Sequence, residues 1–186
     1  MKRIAAILLI AVLSACSANE QAGHKQAAAE RGITSVTMEW LLENGEAAYV
    51  QHDYNQAMTL FTQASAAGST AAPRYIGLMY LNGYGVKKNA RRAVAELNKA
   101  AVKGDAAAQY WLAYCYEQGI GTERDYDEAV KWYLSSANQG ESAAAPAMTA
   151  LGRLAESKEE SEGWYRKAAA AGGKEAQAAL SYLASQ

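Results

Sequence analysis

From about residue 36 onward, short segments of roughly a dozen residues carry an apolar stripe, and glycine-bearing breaks separate them. Between Asp105 and Gly119 the small or apolar positions Ala108, Leu112, Ala113 and Tyr116 fall at i, i+4, i+5 and i+8, one face of a helix. Asp105 is placed to cap its start, and Gly119, in "QGIGT", stands where a helix end calls for a left-handed residue. A second stripe, Ala129, Trp132, Tyr133 and Ser136, follows Asp125, with Glu128 three residues on in a capping-box arrangement, and stops at Gly140. "SKEE" (Ser157 to Glu160) predicts another such start. Pro73, after Ser69 or Thr70, fits a first turn, where a missing amide is tolerated, and Pro146 fits a similar place. The pattern predicts helices in pairs.

These pairs repeat. Gly68, Gly104 and Gly140 stand 36 residues apart, as do Gly77/Ala113, Tyr80/Tyr116, Gly83/Gly119 and Gly85/Gly121. Ala57, Ala93 and Ala129 keep the same step, and so do Ala64 and Ala100. A later unit is shortened, because Trp132-Tyr133 recurs as Trp164-Tyr165 and Gly140 as Gly172, 32 residues on. A fixed period of this length marks stacked supersecondary units, none of which buries its apolar face alone. Gly77 and Ala113 would let a neighbouring helix approach closely, while Tyr80, Tyr116, Trp132 and Trp164 fill the space between units. The glycines of "NGYG" and "QGIG" then turn corners; no strand precedes them and no G-x-G-x-x-G is present, so a dinucleotide site is unsupported.

"AAPRYIGLMYLNGYGVKKNARRAVAELNKAAVKG" and "AAQYWLAYCYEQGIGTERDYDEAVKWYLSSANQG" resemble the Sel-one-like repeat (SLR), a relative of the tetratricopeptide repeat. "HDYNQAMTLFTQASAAG" and "EGWYRKAAAAGG" resemble second halves of further units, and "EAQAALSYLASQ" resembles a terminal capping helix. The resemblance implies an all-α fold, a right-handed α-solenoid of stacked helix pairs over residues 36–186. Its units would span about 36–70, 71–104, 105–140 and 141–172, with a capping helix at 174–184.

The beginning of the chain changes the picture of where this solenoid works. Lys2 and Arg3, the apolar run Ile4 to Leu13 and then "LSAC" resemble a bacterial lipoprotein signal peptide over residues 1–15. That resemblance implies diacylglycerol on Cys16; the other reading is an ordinary export signal in which Cys16 is incidental. The apolar run is too short to span a bilayer, which takes about 20 residues. Residues 16–35, polar, alanine-rich and free of aromatics, are expected to be a flexible tether. Ser17, where sorting by resemblance would use Asp for inner-membrane retention, points to the outer membrane, facing the periplasm. The whole chain carries 18 basic and 19 acidic residues, a net charge of −1, so nothing marks it as a nucleic-acid binder.

Candidate chemistry is sparse. His24 and His52 are the two imidazoles, and neither histidine nor cysteine spacing suggests a metal or other cofactor. Cys115 lies mid-helix between two tyrosines and reads as a small buried residue. Function is then expected on the surface of the stack. In such solenoids the first helix of each pair usually lines the concave side. Its outward positions are Arg74, Tyr75 and Leu78 in the second unit, Tyr110, Trp111 and Tyr114 in the third, and about Thr149, Ala150 and Arg153 in the fourth. Trp, Tyr and Arg dominate binding hot spots, so this row is expected to bind a protein or peptide partner. Tyr110 and Trp111 packing sideways between units is the competing reading, and Tyr84 fits either a rim contact or a plain surface position.

Three functions follow in order. The first is a non-catalytic, lipid-anchored module that holds a protein or peptide partner. The second, carried by resemblance alone, is immunity: occlusion of a secreted, phospholipase-type toxin in the periplasm. The third is a cell-envelope enzyme using Cys115 or His52.

Overall fold

The structure, a computed structural model, describes residues 37–140 and 144–185. The segments read as signal peptide and tether, with Cys16, Ser17 and His24, lie outside the described residues. Those described form nine helices and no strand: α1 (37–50), α2 (Tyr54–Ala66), α3 (Ala72–Asn82), α4 (Ala90–Ala101), α5 (Ala106–Gln118), α6 (Tyr126–Ala137), α7 (Ala144–Leu154), α8 (Lys158–Ala170) and α9 (Lys174–Ala184). From α2 onward each helix packs on the next, α5 also touches α7, and α1 shares an apolar cluster with α2. The architecture is an all-α solenoid of helix pairs, α1/α2 through α7/α8, followed by α9.

The helices begin where short polar side chains satisfy free amides. Asp53, Asn89, Asp105, Asp125 and Ser157 accept hydrogen bonds from the backbone N–H three residues ahead, and Asp105 makes the shortest, 2.7 Å to the Ala108 amide. Ser69 accepts from the Ala72 amide at 3.2 Å, with Pro73 in the first turn of α3. The expected capping box at Asp125 forms only by half. The Asp125 amide donates instead to the Tyr116 carbonyl at 3.0 Å, and the Glu128 carboxylate turns outward to Lys131 at 2.8 Å. The interhelix hairpin had already occupied the donor that the reciprocal bond needs.

Within and between units the packing depends on absent side chains. A Cβ on Gly77 would lie 2.8 Å from Leu97 Cγ, so α3 and α4 meet at glycine. Gly121 (φ +75°) brings its loop against the first turn of α4, where any Cβ would overlap the Ala90 carbonyl. The core forms three apolar clusters along the stack: one around Phe61, Ile76 and Met79, one around Leu97, Leu112 and Cys115, and one around Tyr133, Ala147 and Leu151. Polar side chains also tie the third helix pair together and reach the end of the unit before it. Ser136 donates to the Ala106 carbonyl at 2.8 Å, and Gln139 bridges the Gly104 carbonyl and the side chain of buried Gln109.

Candidate functional site

The residues expected to face the groove lie on α3, α5 and α7, one or two turns apart, and they divide by what they touch. On α5, Tyr110, Trp111 and Tyr114 form a row of edge-to-face rings, with centroids 5.3 Å apart from Tyr110 to Trp111 and 5.9 Å from Trp111 to Tyr114. Each is half-buried. Tyr110 leans on Tyr133 (5.7 Å) and the core cluster beneath α7, while Trp111 packs on the Leu97–Leu112 cluster. Burial, with the nearby charge of Glu175 at the start of α9, pushes the Tyr110 hydroxyl above its ordinary range. Both sideways packing and partial exposure therefore apply to the same rings.

On α3, Tyr75 stacks on Phe61 (4.5 Å, 4° between planes) and meets Tyr49 edge-on. Arg74 lies over the Tyr75 ring at 4.2 Å and pairs through Nε with Asp105, 3.0 Å away, with only 19% of its side chain exposed. Asp105 thus serves both as the α5 cap and as the counter-charge of a neighbouring unit. Leu78 is half-buried, and its carbonyl accepts from Asn82.

On α7 the expected inner positions separate. Ala150 is buried, Thr149 borders an open pocket shared with Lys174 and Glu175 of α9, and Arg153 is engaged from below. Its two terminal nitrogens donate to both oxygens of Glu117, at 2.6 and 2.9 Å. Glu117 is 3% exposed; it also accepts from the Tyr133 hydroxyl at 2.8 Å and from Gln118 at 3.0 Å. Burial alone would raise this carboxyl, but the bonds from Arg153 and Tyr133 outweigh it and hold Glu117 below the usual carboxylate range. Burial and the Glu117 bond push the Tyr133 phenol upward.

Two features escaped sequence reasoning. Glu117 reads in sequence as one more solvated acid, because its partners lie 16 and 36 residues away. Its place in the repeat gave no signal either: Glu117 follows Leu81, whereas Arg153 stands in the row of Leu78 and Tyr114. The second is a ring cluster at the first unit boundary, where Tyr84 stacks on Tyr54 (4.5 Å, 7°) and both flank Tyr49. His52, in a left-handed turn (φ 64°), places Nδ1 2.8 Å from the Tyr54 hydroxyl.

Chemistry at the two named catalytic candidates is poorly served. Cys115 is fully buried, and burial pushes its thiol up to about 11, far from a thiolate at neutral pH. It lies in the second core cluster, whereas the Tyr54 ring beside His52 packs on the first. Among the described residues no group of three or more His, Cys, Asp or Glu side chains converges as a metal site, and no helix is long and apolar enough to cross a membrane.

Comparison with known proteins agrees with this architecture. The Sel1 repeat family profile matches residues 26–69, 72–105, 106–141 and 145–173. A Sel1 repeat protein from Oxalobacter formigenes superposes with a TM-score of 0.69 at 36% identity, over 75% of this chain and 57% of its own. The c5321 protein, a protective antigen present in uropathogenic Escherichia coli strains and displaying an SLR fold, superposes at 0.67 with 30% identity, over 77% of this chain and 32% of its own. The chain thus spans between a third and about three fifths of those proteins. No curated protein matches it. Repeats of this kind generally mediate protein–protein interaction and typically serve as non-catalytic scaffolds. With its period, its glycine corners and its paired helices all in that register, the chain belongs to the Sel1 repeat family.

Proposed function

We propose that this chain holds a protein or peptide partner on the face formed by the first helices of its pairs, with Trp111 and Tyr114 as anchors and Tyr75, Leu78 and Tyr110 beside them. The observation that carries this reading is the half-buried ring row on α5, set between two arginines that are already neutralised. With Arg74 held by Asp105 and Arg153 by Glu117, the face offers aromatic surface rather than free positive charge. A partner presenting apolar side chains fits it better than an acidic one, and rigid rings lose little conformational entropy on binding. Lipid on Cys16 would locate the module at the envelope, in the outer membrane facing the periplasm, and residues 16–35 would give it reach.

Two experiments test these parts separately. Affinity capture from membranes should recover a protein set that Trp111→Ala combined with Tyr114→Ala loses while the melting temperature stays within a few degrees; an unchanged set rejects the ring face. Metabolic labelling with an alkyne fatty acid should mark the wild-type chain and not Cys16→Ser. Equal labelling of both rejects the anchor.

A further inference from the structure

The edge of the solenoid where each second helix begins carries a charge pattern that the partner-binding face does not use. In the second unit, residues 87–92 hold Lys87, Lys88, Arg91 and Arg92 and no acid. One repeat later, Lys87, Arg91 and Arg92 give way to Glu123, Asp127 and Glu128, with Asp125 between them, while Lys88 keeps its charge as Arg124 and the segment stays acidic on balance. Arg91 and Arg92 sit in the first turn of α4, where the helix dipole disfavours cations, whereas α6 and α8 carry acids there. The reversal therefore runs against what the helix itself prefers.

The two patches are neighbours. The Gly121 loop lies against the Ala90 carbonyl and the Arg91 amide, so the acidic segment begins beside the basic one. All four cations are exposed, as are Glu123 and Asp127. Among the described residues no ion pair joins the patches; Glu128 turns to Lys131 within α6, and the Arg92 guanidinium lies over the Tyr80 ring and donates to its hydroxyl. Adjacent opposite charges that do not pair within the chain remain available outside it.

We infer that this edge associates with the same edge of a second copy. A two-fold axis crossing it near Gly121 sets the basic patch of each copy on the acidic patch of the other, satisfying both patches at once and closing the assembly. Parallel alignment would set like on like. A pair built from exposed charges is weak and salt-dependent, because salt shortens the screening length from about 10 Å at 0.1 M to about 3 Å at 1 M.

Sedimentation equilibrium of the full chain in non-ionic detergent tests this. The expected result is a concentration-dependent dimer at low salt that is lost by 1 M salt on screening grounds. Reversing one patch, by Lys87→Glu with Arg91→Glu or by Glu123→Lys with Asp127→Lys, should weaken association about tenfold or more. An equimolar mixture of the two reversed chains should recover it as a heterodimer, because each then meets its opposite. The Gln versions of the same four positions, with melts as a folding control, should weaken association without adding repulsion. A wild-type monomer throughout, association unaffected by either reversal, or a mixture that fails to recover it would each overturn the inference. Wild-type monomer that binds phosphatidylglycerol vesicles would overturn it too, assigning the basic patch to lipid.

Discussion

Glu117 is the residue whose environment departs furthest from its type. A carboxylate at 3% exposure survives because one guanidinium and one phenol spend their donors on it. Removing Arg153 would leave the charge buried and partnered only by Tyr133 and Gln118, so Arg153→Met should destabilise by about 2 kcal/mol; the exposed half of Arg153 keeps the figure below that of a fully buried pair. Thermal melts should show this as a drop of several degrees, and Tyr133→Phe as a smaller one, about 1 kcal/mol. The pH dependence has a definite sign. Because the folded carboxyl titrates below its unfolded value of about 4.3, its contribution is complete above that value and disappears as pH falls through the folded one. Melts between pH 6 and pH 3 should therefore fall more steeply for wild type than for Glu117→Gln; parallel curves would show that other carboxylates control acid unfolding.

The helices themselves were readable because their caps are local. Asp105, Asp125 and Ser157 announce helix starts through contacts three residues away, and each accepts the amide expected of it. The capping box at Asp125 was not readable in full, since its missing half depends on the Tyr116 carbonyl across a hairpin. The same limit governed the face on α3, α5 and α7. Helical geometry set Tyr75, Trp111 and Arg153 on that side, but nothing local revealed Phe61 beneath Tyr75 or Glu117 beneath Arg153. Loop corners offer a test at this scale. Gly140→Ala meets open space and suffers only its positive φ, a cost of about 1 kcal/mol. Gly121→Ala meets the Ala90 backbone as well and should cost about 2 kcal/mol or more. Equal melting temperatures for the two variants would mean that the Gly121 loop does not rest on α4 in solution.

Along the whole stack, stability is a sum of units and the contacts between neighbours, and it should not be even. α5 buries six of its residues, while α8 and α9 bury one each, Ala168 and Ala176. Hydrogen exchange should accordingly be fastest in α9, intermediate in α8 and slowest through α5 and α6, with the terminal helices opening below the global transition. Uniform protection would contradict the ladder of clusters.

The pairing of Glu117 with Arg153, one repeat apart, also bears on how such an array can lengthen. Unequal exchange that copied the second unit would set a second Leu78 behind Leu81, a join that oil-like packing tolerates. Copying the third would set Tyr114 behind Glu117 where a guanidinium belongs, leaving a buried negative charge without its counter-charge. Look-alike modules in this chain are consequently ordered words rather than interchangeable beads, and growth by duplication is open at one joint and barred at the next.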